Sequence, residues 1–357
     1  MTNFLKQIAT AAAALALAIG LASPVQAAEK KEFKIAWTIY AGWMPWAYAQ
    51  QAGIVKKWAD KYGISVTLVQ INDYIESINQ YTAGKFDGVT ITNMDALTIP
   101  AAGGVDTTVV LVGDYSNGND GIVLKTGKTL SDIKGQKVNL VELSVSHYLL
   151  ARALGTVNLS EKDIKTVNTS DADIVAAANS ADVTAAVAWN PQLSDIKSVP
   201  GRTLVFDSTK TPGEILDLTA VNTQTLKDNP ALGKALAGAW FETLALMHKD
   251  DEAGKAARTE MAKLSGTDLT NYDAQLKTTY LYTEPAAALA YTRSPDLIKT
   301  MDLIRSFSFD HGLLGEGAKT KDAVGIAFPG GKTLGNAENI KMRFDDTFEK
   351  LAAEGKL

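Results

Sequence analysis

Short apolar runs alternate with amphipathic segments along this chain, and the alternation starts a second time part-way through. Phe33, Ile35 and Trp37 alternate with Lys34 and Ala36 as a strand. An aromatic-rich loop, Tyr40 to Trp46, then leads into a helix through Asp60. Further strands are expected at Ile64 to Ile71, Val89 to Thr92 and Thr107 to Gly113. Between them fall a helix at Tyr74 to Ala83, ended by Gly84, and a short helix from Met94. Strands alternating with helices imply α/β architecture: a mostly parallel sheet with helices on both faces.

At Gly121 the pattern restarts. Strands are expected at Gly121 to Leu124, Val138 to Glu142, Ile164 to Asn168, Ala185 to Trp189 and Thr203 to Phe206, with helices at Ser146 to Leu154 and from Asp171. Leu218 to Asn222 reads as a strand leading back. The remainder reads as helical at Pro230 to Met247, Glu252 to Leu264, Tyr272 to Tyr280, Pro285 to Tyr291 and Ser294 to His311, with a terminal helix after about Asn336. Two lobes joined by two crossovers, near Asp120 and Thr219, account for this order. Residues 28–120 plus 220–357 form a discontinuous first lobe and residues 121–219 a second.

Residues 1–27 have a different character. Lys6 precedes an apolar run from Ile8 to Leu21, Pro24 breaks it, and Val25-Gln26-Ala27 offers small residues for a signal peptidase. This is a secretory layout, with the mature chain expected to begin at Ala28. The chain contains no cysteine, which excludes a lipoprotein anchor, disulfides and thiolate metal sites. A periplasmic, untethered monomer is expected. The formal net charge of −5 and the lack of a basic run argue against nucleic acid as a partner.

Ligands of open α/β sheets sit at the carboxyl ends of strands. The loops expected there are Tyr40 to Trp46, Asn72 to Glu76, Asn93 to Asp95, Glu142 to His147, Trp189 to Pro191 and Gly213 to Asp217. None of them contains Lys or Arg. They offer carboxylates (Asp73, Glu76, Asp95, Glu142, Glu214, Asp217) interleaved with Tyr40, Trp43, Trp46, Tyr74 and Trp189. Ring faces attract cations, and a carboxylate pairs with a planar guanidinium through two parallel hydrogen bonds. Tyr40, Trp43, Asp73, Asp95, Glu142, Trp189, Asn190 and Asp217 are therefore the candidate ligand-binding residues. Asp73 either contacts ligand or caps the helix beginning at Tyr74. Asp95 either contacts ligand or complements a helix dipole. Asp217 either lines the cleft or serves the crossover. Glu142, a charge closing an apolar strand, is expected to be the main charged contact.

No catalytic, cofactor or metal site is expected. Ser146 and His147 are adjacent on a helix and do not face each other. His248 and His311 lack partners at ligand spacing. Gly330-Gly331-Lys332-Thr333 lacks the first glycine of a phosphate loop, since Ile326 stands there. Asp114 to Gly121 breaks the calcium-loop pattern at Asn119 and Lys125 and reads as a turn between lobes.

The order of elements resembles the substrate-binding proteins of the nitrate, sulfonate and taurine importers, a family that also includes thiamine-precursor binders. Ser144-Val145-Ser146-His147-Tyr148-Leu149-Leu150 is similar to that family's second-lobe helix start. The segments Ala36 to Trp46, Ile71 to Ser77, Thr92 to Leu97, Asn139 to Ser144 and Ala188 to Pro191 resemble a narrower group, the binding proteins encoded beside urea (guanidine) carboxylase. The resemblance implies a two-lobed periplasmic-binding-protein fold of type II. It also implies a small nitrogen-rich ligand, guanidine or urea, and an inner-membrane ABC permease as partner. A sulfonate-type or thiamine-precursor-related role is the alternative.

Overall fold

A computed structural model describes residues 30–357. The expected signal segment, residues 1–27, and the expected start at Ala28 lie outside them.

Fourteen strands form two sheets among the described residues: β1 (Glu32–Trp37), β2 (Ser65–Gln70), β3 (Gly88–Thr92), β4 (Thr107–Ser116), β5 (Asp120–Leu124), β6 (Lys137–Leu140), β7 (Lys165–Asn168), β8 (Ala185–Trp189), β9 (Thr203–Asp207), β10 (Leu216–Asn222), β11 (Thr279–Leu281), β12 (Gly325–Ala327), β13 (Thr333–Leu334) and β14 (Ile340–Phe344). The larger sheet runs β13-β12-β14-β4-β10-β3-β1-β2, with β11 beside the far end of β4. The smaller runs β7-β6-β8-β5-β9. Pairs joined through helical crossovers, such as β1–β2, β1–β3, β6–β7 and β6–β8, are parallel. This is the mixed α/β class that the alternation dictates. β3, β5 and β8 are buried at every position and are correspondingly apolar.

The chain passes between the sheets twice, leaving between Ser116 and Asp120 and returning between Asp207 and Leu216. β4 and β10 therefore run in opposite directions side by side. The return comes a few residues before Thr219, because Leu216 and Asp217 already pair with β4. Ser116, Asp120 and Ser208 tie the two passages together. Ser116 Oγ lies 2.5 Å from Asp120 Oδ2 and 2.6 Å from Ser208 Oγ, and Gly118 N–H donates to Ser208 Oγ at 2.7 Å.

A bulge at Gly113 shifts the β4–β10 register between Asp217 and Leu218. It frees the Val112 N–H, which donates to buried Glu349 at 2.9 Å, while Gly113 O accepts from Tyr282 N–H at 2.9 Å. Bulges re-aim the residues beside them. Here that residue is Asp114, brought directly opposite Asp217.

The helices Pro230–Met247 and Glu252–Leu264 occur as expected. The segment expected to be helical through Tyr280 instead ends its helix at Leu276 and continues as β11, which completes the edge of β4. The C-terminal region adds β12, β13 and β14 before the helix Thr347–Ala353. No helix among the described residues is long and apolar enough to cross a membrane.

Candidate ligand-binding site

A cavity of about 300 Å³ lies between the two sheets. From the large sheet, the 3-10 turn Ala41–Trp43 after β1 contributes Tyr40 and Trp43. The helix Tyr74–Thr82 after β2 contributes Tyr74, and Thr92 closes β3. From the small sheet come Asn119 and Asp120 at the start of β5, Val145 at the head of the helix Val145–Thr156, and Trp189 at the end of β8. Ile215 and Asp217 complete the wall from the returning passage.

The rings form one connected series. Tyr40 meets Trp43 edge-on at 5.1 Å between centroids, Trp43 lies 5.9 Å from Tyr74, and Tyr74 meets Trp189 edge-on at 5.6 Å. The hydroxyls are anchored behind the wall. Tyr40 Oη donates to Asp114 Oδ1 at 2.7 Å, as does Thr279 Oγ1. Tyr74 Oη and Thr92 Oγ1 each donate to Asp95 Oδ2 at 2.7 Å.

The site has an excess of acceptors. Asp95, Asp114, Asp120 and Asp217 are all buried, and among the described residues none of them forms an ion pair with Lys, Arg or His. Burial pushes the Asp95 and Asp120 carboxyls up to about 6. Burial, and then the charge of Asp114, hold the Asp217 carboxyl well above the usual range. Asn119 Oδ1 and Asp114 Oδ2 are buried without a hydrogen-bond partner among the described residues. Buried polar groups are rarely left so.

Of the candidate residues, Tyr40, Trp43, Trp189 and Asp217 stand on the wall. Asp73 does not: it is half-buried and caps its helix, accepting from Glu76 N–H at 2.8 Å. Asp95 sits behind Tyr74 and Thr92, whose hydroxyls it accepts from. Asn190 is buried beside the wall. Its Nδ2 donates to Thr278 Oγ1 at 3.0 Å, and its carbonyl accepts from Ala41 N–H at 3.3 Å. Glu142, expected to be the main charged contact, is not among the residues lining the cavity: β6 ends at Leu140, so Glu142 lies half-buried in the following turn, beside the left-handed Leu143 (φ 61°).

Asn119 and Asp120 were hidden from sequence reasoning inside an apparent turn. The available signal was an acidic pair, Asp114 and Asp120, bracketing a passage between apolar strands. A second cluster joins residues far apart in sequence. Glu161 accepts from His147 Nε2 and lies 2.7 Å from His311 Nε2. The Leu143 N–H donates to His147 Nδ1 at 3.0 Å, so His147 carries its proton on Nε2. That wiring suits a hydrogen bond and leaves this nitrogen no lone pair for a metal.

Two α/β sheets exchanging strands at two passages around a central cavity define the periplasmic-binding-protein fold. The chain superposes on the alkanesulfonate-binding protein SsuA of Xanthomonas axonopodis pv. citri with a TM-score of 0.67 at 18% identity, over 83% of this chain and 99% of that one. For the nitrate-binding protein NrtA of Synechocystis PCC 6803 the values are 0.68 and 13%, over 92% and 89%. The sequence profile described as NMT1/THI5 like matches residues 44–253, and the chain belongs to that family. A binding protein of Brucella abortus strain 2308 is 29% identical over 145 residues, which is 40% of this chain. The match spans less than half, 44%, of that relative's length.

Proposed function

We propose that this protein is the periplasmic solute-binding subunit of an ATP-driven importer and that it captures guanidinium for delivery to a membrane permease. The observation that carries the ligand is the acceptor excess: buried carboxylates and an unpartnered amide oxygen behind and within an aromatic wall, with no basic side chain on that wall. A planar cation with N–H groups around its edge supplies the missing donors and charge, and its faces suit the rings. A cavity much smaller than the usual ligand pocket fits a ligand of few heavy atoms. Nitrate and sulfonates, the ligands in the names of the structural relatives, are anions, and this wall sets carboxylates and no Lys or Arg against them. Binding shuts the cleft by hinge motion at the two passages, since the walls come from both sheets.

Titration calorimetry with guanidinium chloride, urea, nitrate and a short alkanesulfonate tests this. Guanidinium is expected to bind at about micromolar, roughly −8 kcal/mol. Truncating one partner of a desolvated charge pair costs about 2–5 kcal/mol, so Asp217→Asn should weaken binding at least tenfold. Glu142→Gln, half-buried and off the wall, should change it less than about twofold. Tighter binding of urea, nitrate or sulfonate than of guanidinium would overturn the ligand.

A further inference from the structure

Asp114 and Asp217 stand directly opposite each other on antiparallel strands, and their carboxyl groups meet. Like charges in such a pair repel, and two carboxylates sharing a buried site do not both ionise in the ordinary range. The groups around them supply hydrogen bonds but no positive charge. On the turn after β1, Tyr40 donates to Asp114, and Thr279 on β11 does the same. Asp120 on β5 adds a third negative charge to the field at Asp217, and Tyr282 is the remaining titratable group close to Asp114. No Lys, Arg or His among the described residues forms an ion pair with either acid. A pair so placed is relieved by holding one proton between its two carboxyl groups. Asp217 forms part of the cavity wall, whereas Asp114 is off it.

Resting on the cation reading, we infer that capture of the ligand is coupled to release of the proton shared by Asp114 and Asp217. A positive charge against Asp217 replaces the proton as the neutralising partner. The balance is one cation in and one proton out to solvent, with the net charge of the site unchanged. Affinity then rises with pH, because protons compete with the ligand. A neutral ligand of the same shape displaces no proton, so the pair also discriminates against urea.

Calorimetry of the wild-type protein near neutral pH, in buffers of different ionisation enthalpy, reads the number of protons exchanged. Guanidinium binding should release close to one. Its affinity should rise with pH above the ordinary carboxylate range, tenfold per unit being the limit for one proton. Binding without proton exchange and with flat pH dependence would overturn this inference and leave the ligand assignment standing. Absence of guanidinium binding would overturn both. Asp114→Asn, checked for folding by circular dichroism, should still bind but with smaller proton release and a shallower pH profile. Full release in that variant would place the proton elsewhere and refute the pair.

Discussion

Asp171 Oδ1 accepts a hydrogen bond of 3.0 Å from the backbone N–H of Tyr74. The bond joins the loop after β7 in the small sheet to the helix that presents Tyr74 to the cavity. It links the two sides of the cleft directly. In the hinge motion proposed above, this bond forms only on closure.

Asp171→Ala removes the acceptor and leaves the Tyr74 N–H buried and unpaired in the closed form. The cost of such a group is about 1–3 kcal/mol. The expected outcome is a roughly tenfold weaker dissociation constant by calorimetry, with the melting temperature of the ligand-free protein nearly unchanged. An unaltered dissociation constant would show that the bond does not report closure.

Gly42 is required by close approach. A Cβ there would lie 2.6 Å from Tyr40 Cε1 and 2.8 Å from Asp114 Oδ2. The methyl group of Gly42→Ala must push the Tyr40 ring off the cavity wall or separate Tyr40 from Asp114. Overpacking of this kind costs about 1–3 kcal/mol. Ligand affinity should fall at least about tenfold, since the displaced groups belong to the site. Wild-type affinity in Gly42→Ala would refute the placement of Tyr40.

The buried acids set an unusual pH profile for stability. Asp95, Asp120 and Asp171 are raised to about 6 and Glu349 to about 7, in each case chiefly by burial. Between about pH 4, where these groups titrate in the unfolded chain, and those folded values, the native state binds more protons than the unfolded one. Stability therefore falls as pH rises through that window. Glu161 acts in the opposite sense. The hydrogen bond from His147, joined by that from His311, lowers it to about 2, so its contribution is present above about pH 4 and is lost as pH falls toward 2. Melting temperature, followed by fluorescence from about pH 4 to 8, should be highest near pH 4 and decline toward 7. A steady rise from pH 5 to 8 would contradict the burial of these acids.

The α/β class and most elements were legible because local patterns dictate them. The Pro230–Met247 helix shows its apolar content and starts on its proline, and β8 is a continuous apolar run. β14 was passed over although Ile340, Met342 and Phe344 alternate with Lys341 and Arg343, because charged neighbours made the segment look like surface. Partner strands, not local propensity, make β11 and β13, which are only three and two residues long.

For the site, the sequence by itself determined the chemistry: aromatics and carboxylates at strand ends, without Lys or Arg. Only the tertiary structure decided which of these residues meet. Asp73, Asp95 and Glu142 were equivalent as acids near strand ends, yet one caps a helix, one props Tyr74 from behind and one lies in a turn outside the cavity lining. Asp114, 103 positions from Asp217 in the chain, became its partner through the pairing of β4 with β10 and a one-residue bulge. A shift of one residue in a strand turns a side chain to the opposite face. No composition or spacing encodes that register, so which acids share a proton was settled by the packing of the sheet.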